Sequence, residues 1–256
     1  MFRIATWNVN SLRVRLDHVL QWLAQVQPDV LALQETKLPD DKFPVEELKD
    51  AGYESAFTGQ KTYNGVATLS RKKAKNVIKG MPGYEDNQQR VLLTDIGNIT
   101  ILNLYVPNGS EVGSEKYSYK LGWLEHLVTV IRDLLAKNPK LIVLGDFNIA
   151  PEDRDVHDPV EWADSVLVSE PERAEFNKIR EAGLEDCFRL FDQANDSFSW
   201  WDYRAAAFRR NRGLRIDHIL ASHALAGNCR ACYIDIEPRT LERPSDHTPV
   251  VAEFKL

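Results

Sequence analysis

Four apolar segments of this chain each run into a short polar signature, and that pattern limits the possible folds more than any other feature of the sequence. FRIATW leads to Asn8 and Asn10, DVLALQ to Glu35, and LIVLG to Asp146 and Asn148, while LRIDHILAS carries Asp217 within it. Short apolar runs of this kind read as strands. Polar residues at their ends mark where the strands leave the core, so four such ends on one edge make a site. A fifth stretch, ERPSDHTPVVAEF, sets Asp246 and His247 side by side between a Pro-Ser turn and an alternating apolar strand.

Helices alternate with these strands in both halves. LDHVLQWLAQV (16–26) and LGWLEHLVTVIRDLLAK (121–137) have helical apolar spacing, and the second runs into Asn138 and Pro139, a helix stop. YESAFTG, GVATLSR, RVLLTDI and ITILNLYV read as further strands, with Gly97 and Asn98 as a hairpin turn. A mixture of βα units and hairpins calls for α/β architecture: mixed, largely antiparallel sheets flanked by helices. The order strand, polar loop, helix, short strands returns after residue 140 through PERAEFNKIREAG, so two sheets built alike are expected. No Pro, Gly or Ser-rich linker divides the chain, and residues 1–256 are expected to form a single domain.

Composition narrows the function. With 43% hydrophobic and 27% charged residues the chain reads as globular, and no run approaches the ~18 apolar residues of a membrane span. The start, MFRIATWNVN, lacks a basic and then apolar leader pattern, and three cysteines are an odd number for a disulfide framework; both point to the cytoplasm. In CRACYIDIE, read as a strand, Cys229 and Cys232 should face opposite ways, which suits structural thiols and not a metal site. A net charge of -6 argues against unspecific adhesion to nucleic acid, yet RAAAFRRNRGLR (204–215) carries five arginines and no acid. A second basic run, RKKAKNVIK (71–79), fits an exposed edge strand guarded by lysines.

Asn8, Asn10, Glu35, Asp146, Asn148, Asp217, Asp246 and His247 form an inventory of carboxylates, amides and one imidazole with no thiol. Hard oxygen ligands suit magnesium or manganese, and a magnesium site uses one or two carboxylates plus water and substrate phosphate. Each residue alone is explained by a cap or turn. Together, at separate strand ends, they point to metal-assisted phosphate chemistry.

Eight stretches, TWNVNSLR, LQETK, GQKTYNGVA, LNLYVPNG, LGDFNIAP, FSWWDYR, GLRIDHILAS and RPSDHTPV, resemble in order the exonuclease III group of the endonuclease/exonuclease/phosphatase superfamily. The resemblance runs from residue 6 to residue 251. It implies a DNase I-like four-layer α/β sandwich and a Mg2+-dependent DNA repair enzyme, with Mn2+ as a substitute. Such enzymes cut duplex DNA 5′ to abasic sites and remove nucleotides or blocking groups from 3′ ends. Neither a membrane nor an obligatory protein partner is implied.

On this resemblance Glu35 is the principal metal ligand, with Asn8 and Asp246 near it, and Asp146, Asn148 and His247 complete the metal set. Asp146 and Asn148 also face the attacking water and the phosphate, Tyr105 lies close to the scissile phosphate, and His247 contacts it while Asp217 orients the imidazole. Trp200 lines a pocket for an extrahelical abasic sugar, with Trp201 turned inward by alternation. DNA contacts fall to Asn10, Lys61, Asn108, Trp200, Arg204, Arg209, Arg210, Arg212 and Leu214. Ser169, small, borders the abasic pocket and leaves room for endonuclease action. Asn108 departs from the glutamine of a well-known bacterial member. Two other readings use the same residues: a phosphatase acting on an inositol phosphate or lipid headgroup, and a catalytically silent DNA-binding protein.

Overall fold

The computed structural model describes residues 1–256. Its strands are β1 (Phe2–Asn8), β2 (Val30–Gln34), β3 (Glu54–Thr58), β4 (Val66–Ser70), β5 (Lys75–Lys79), β6 (Val91–Ile96), β7 (Ile99–Tyr105), β8 (Leu141–Asp146), β9 (Leu184–Asp186), β10 (Asp217–Ser222), β11 (Cys229–Ile234) and β12 (Val250–Phe254). They form two six-stranded sheets, in the orders β11-β12-β1-β2-β4-β3 and β5-β6-β7-β8-β10-β9. The helices are α1 (Leu12–Val26), α2 (Val45–Asp50), α3 (Glu115–Lys137), α4 (Glu170–Glu181) and α5 (His223–Ala226). Each sheet contains one parallel pair, β1 with β2 and β7 with β8. Parallel neighbours need a crossover, and α1 and α3 supply the two crossovers.

Strand alternation decides the layers. In β1, Ala5 and Trp7 pack outward on Leu12, Val19 and Trp22 of α1, while Ile4 faces the other sheet. In β8, Leu141 and Val143 pack outward with Leu127 of α3 and Phe176 of α4, while Ile142 and Leu144 meet Ile4, Val30 and Val250 between the sheets. The result is the four-layer α/β sandwich that the family resemblance implies. Burying each of these large side chains stabilises the fold by roughly 1.5–3 kcal/mol.

Continuing the same alternation to the strand ends puts Asn8, Gln34, Tyr105, Asp146 and Asp217 in the layer between the sheets, all at one end. Register completes the placement: Asp146 pairs with Tyr105 on one side and with Asp217 on the other, and Asn8 pairs with Gln34. Just beneath them Gln34 Nε2 donates to Asn103 Oδ1 at 2.8 Å, and Asn103 Nδ2 donates to the Ala67 carbonyl at 2.9 Å. A buried amide finds its bonds only in one alignment of the two sheets, so this network fixes their relative position under the site.

Several boundaries differ from those expected. Helix α1 begins at Leu12 and not at residue 16, and α3 begins at Glu115, where Ser114 caps it by accepting the Tyr117 N–H. Asp217 opens β10 instead of lying within the strand. Cys229 and Cys232 do not face opposite ways, because a bulge between Cys229 and Ala231 shifts the register of β11 and turns both thiols into the core. The 71–79 run contains the outermost strand of its sheet, β5, exposed along its whole length as a lysine-guarded edge.

Candidate active site

The end of the sandwich where these residues meet is built around one amide. Asn8 Nδ2 donates to Glu35 Oε1 and to Asp146 Oδ2, both at 2.9 Å, and so joins carboxylates carried by different sheets. Its Oδ1 accepts the Asn10 N–H at 2.9 Å. Asp146 further accepts the Asn148 backbone N–H at 2.9 Å and the Asn148 side-chain amide at 3.4 Å. Asn10, Glu35 and Asn148 all have positive φ, at 43°, 51° and 50°. Non-glycine residues held there cost energy and persist where the surroundings dictate them, as at functional sites.

His247 closes the other side. Its Nδ1–H donates to Asp217 Oδ2 at 2.9 Å, and its Nε2 lies 3.7 Å from Asp146 Oδ2. Burial alone would lower the imidazole's pKa, but Asp217 and Asp146 outweigh it and raise it to about 10. Asp146 moves up to about 7, pushed first by burial and then by Asp217, against the opposing pull of His247 and the Asn8 and Asn148 hydrogen bonds. At neutral pH the site therefore holds an imidazolium beside a carboxyl group near its ionisation point. Burial, with Glu35 and Asp146 close by, holds the Tyr105 hydroxyl well above its ordinary range, which keeps it a neutral donor.

One ligand atom each from Glu35, Asp146 and His247 can be chosen so that all lie within 4.8 Å of one another. Two carboxylates this close need positive charge between or beside them, and Lys37 supplies part of it at 2.8 Å from Glu35 Oε2. The two carboxylates supply oxygen donors of the kind that suits a divalent cation. Asp246 lies outside this cluster. Its oxygens accept Asn10 Nδ2 at 2.9 Å and Trp200 Nε1 at 3.1 Å. Burial opposes its ionisation, but His247 and these two hydrogen bonds prevail and keep it below its usual range.

Trp200 stands beside the site, its backbone bridged to His247 and to Leu214. Of the two tryptophans, one of which alternation turns inward, it is Trp201 that is 2% exposed and packs on Phe208, as the resemblance implies. The expected DNA contacts divide into two groups. Lys61, Asn108, Arg209 and Arg210 are exposed, and Asn108 also donates to Asn148 Oδ1 at 3.3 Å. Asn10 lies inside the network and not on an open surface. Arg204 is exposed but forks onto Asp202, and Arg212 pairs with Glu161.

Two expected positions are corrected. Leu214 is 0% exposed because it packs into a small core under Trp200, so its side chain has no surface to offer DNA. Ser169 is 4% exposed and does not form a rim: it caps α4 in a reciprocal arrangement with Glu172 and bonds the Tyr117 hydroxyl at 2.6 Å.

Some supporting residues escaped the sequence reading. Lys120, fully buried on α3, pairs with Glu172 and donates to the carbonyls of Asn108, at 3.1 Å, and Asn148, at 2.6 Å. It ties two site loops together. The signal was a lysine on the apolar face of a helix. The Arg90 guanidinium lies 4.6 Å from the centre of the Tyr105 ring, a contact that no local pattern announced. Arg215, fifth of the arginine run, is a core residue paired with Asp155 at 2.6 Å and Asp186 at 2.8 Å.

Two like-built sheets that bring carboxylates, amides and an imidazole to one end of a sandwich make a site suited to phosphate chemistry assisted by a divalent cation, and similarity to known proteins gives the class, a phosphodiester hydrolase. The family model of the endonuclease/exonuclease/phosphatase family matches residues 5–247. Exodeoxyribonuclease III of Haemophilus influenzae is 38% identical over 99% of this chain and 100% of its own. Among solved structures, a Neisseria 3′ phosphatase bound to a product DNA hairpin is 44% identical with a TM-score of 0.98, and an Archaeoglobus fulgidus AP endonuclease is 40% identical with a TM-score of 0.96; each comparison covers both chains completely. The chain belongs to the endonuclease/exonuclease/phosphatase family and, within it, to the exonuclease III group.

Proposed function

We propose that this protein is a magnesium-dependent DNA repair nuclease that cuts duplex DNA 5′ to abasic sites and clears nucleotides or blocking groups from 3′ ends, with manganese able to replace magnesium. The observation that carries the reading is the bracket Glu35–Asn8–Asp146–His247–Asp217 at the mouth of the sheets with Trp200 and an arginine loop at its side. Residues 1–256 act as one domain, because both sheets contribute to the central core and to the site. No obligatory protein partner is needed, since one chain carries every proposed group. Three buried, unpaired thiols suit a reducing compartment such as the cytoplasm.

Glu35 and Asp146 would hold the metal, which, when bound, supplies positive charge to the phosphate and lowers the pKa of water. Asn8 directs its amide hydrogens to these carboxylates, and its own oxygen is engaged by Asn10, so it positions the ligands. Asp246 acts likewise on Asn10 and Trp200. A protonated imidazole has no lone pair to offer, so His247 is assigned to the phosphate oxygen and not to the metal. Asp217 fixes its ring. Asp146, as the ionised carboxylate, accepts the proton of the attacking water, Asn148 orients that water, and the neutral Tyr105 hydroxyl donates to the phosphate.

Trp200 forms a wall against a baseless sugar, which is cheap to extrude and fits where a full nucleotide does not. Trp200→Ala is expected to slow abasic incision by roughly ten- to a hundredfold, the effect of losing an aromatic platform of about 1–3 kcal/mol, and to slow release of a 3′ phosphate less. Equal losses on both substrates, with circular dichroism unchanged, would contradict this role and mark a general disturbance of the site.

Arg209 and Arg210 are the members of the arginine run left free for the phosphate backbone. Changing both to Gln should weaken binding to all duplex sequences alike and flatten the dependence of log affinity on log salt by about two phosphates' worth, a slope change near 1.8. A titration series from low to moderate salt measures it. An unchanged slope removes this loop from the interface.

A further inference from the structure

The acidic segment after Glu152 does more than balance charge. Its loop reaches the arginine run at one point. Arg212 ion-pairs with Glu161, and its Nε donates to His157 Nε2 at 3.1 Å. The arrangement is directional: His157 Nδ1–H donates to the Gly213 carbonyl at 3.2 Å, which leaves Nε2 as the acceptor that Arg212 requires. The His157 backbone N–H meets the same carbonyl at 3.1 Å. Residues 157 and 161 are thereby fastened to 212 and 213.

Directly after the second fastened residue stands Trp162. Its ring makes an edge-on contact with His157, with centroids 6.3 Å apart, and a second with Trp200, at 6.4 Å and an interplanar angle of 89°. The Trp200 ring is therefore held from two sides, by Asp246 at its indole nitrogen and by Trp162 at its edge. A wall that must discriminate between a bare sugar and a full nucleotide works only if it does not swing, since loosely supported side chains lose the geometry that selection needs.

We propose that Arg212 is a positioning residue for abasic-site selection, not a DNA contact: with Glu161 and His157 it latches the 157–164 loop so that Trp162 braces Trp200. The proposal rests on the reading of Trp200 given above. Because Arg212 is only 29% exposed and its charge is met by Glu161, it has little attraction left for phosphate.

The test exploits opposite charges. Arg212→Gln removes a positive charge from the DNA face and Glu161→Gln removes a negative one, so simple electrostatics predicts opposite effects. A latch predicts the same effect. Each single variant should lower abasic incision about three- to fivefold, the scale of a part-exposed ion pair, and leave 3′-phosphate release within about twofold. The double variant should be no worse than the weaker single, because both break one interaction. Trp162→Ala, which spares the ion pair, should show the same preference for harming abasic incision. Hydrogen exchange over 157–164 should quicken in both single variants.

The latch is overturned if Glu161→Gln keeps or raises abasic incision while Arg212→Gln weakens both substrates and reduces the salt slope. Unchanged exchange in both single variants also overturns it. A wild-type protein that incises no abasic duplex would instead refute the function assigned to Trp200, with selection falling alongside it, while exchange still decides whether the loop is latched.

Discussion

Asp146→Asn is expected to lower turnover at least about a hundredfold, on abasic duplexes and 3′-blocked ends alike, because a lost general base removes about a hundred- to ten-thousandfold. The substitution keeps the size of the side chain and an oxygen to accept from Asn8 and Asn148, so the fold should persist. What disappears is the group able to take a proton. Burial lifts its pKa to about 7 when no cation is bound, a bound metal would lower it, and only the ionised form can act as a base, so wild-type turnover should rise with pH as Asp146 loses its proton, with a midpoint below 7. That acid limb should vanish from the residual activity of the variant. Single-turnover cleavage across pH measures both effects. A variant that kept the wild-type acid limb would give the base role to another group.

The second large effect belongs to His247. Replacing it with Ala should cost about 3 kcal/mol of transition-state stabilisation, a hundredfold or more in rate, the usual loss when a well-placed donor to a developing oxyanion is removed. Affinity for a duplex should change little, because the imidazolium's charge matters most where negative charge grows on the phosphate. Asp217→Asn should fall in the same direction, since the amide cannot support the imidazolium as the carboxylate does at 2.9 Å. Turnover unchanged with binding weakened would remove His247 from the chemistry.

The fold was legible because alternation along each strand is a local property. Ile4, Thr6 and Asn8 share a face whatever the rest of the chain does, and the same count carries Ile142 and Leu144 to Asp146. The gathering of Asn8, Asp146 and Asp217 follows from that count and from sheet register, whereas Glu35, Asn148 and His247 lie beyond the strand ends, where the positive φ of the first two and the bridge of the third to Trp200 place them. Partners of charged side chains were not legible, because nothing in a run of arginines says which of them meets an acid from far along the chain. Arg215 and Asp155 lie 60 residues apart, and Arg212 and Glu161 lie 51 apart. The bulge that turns Cys229 inward and the cap that buries Ser169 fall in the same class, since both depend on how neighbouring elements pack. Lys120 was visible only as an oddity on an apolar helix face, and its task of joining Asn108 to Asn148 appears once α3 is docked.

The central claim is that the site between the sheets hydrolyses phosphodiesters in damaged duplex DNA with the help of a divalent metal. Incubating the protein with a labelled abasic duplex, a recessed 3′ end and an inositol polyphosphate, each with magnesium and with excess chelator, tests it most directly. The account predicts cleavage 5′ to the abasic site and shortening of the 3′ end with magnesium, loss of both with chelator, and no release of phosphate from the inositol compound. Cleavage that survives exhaustive chelation, or activity confined to the inositol polyphosphate, would contradict it.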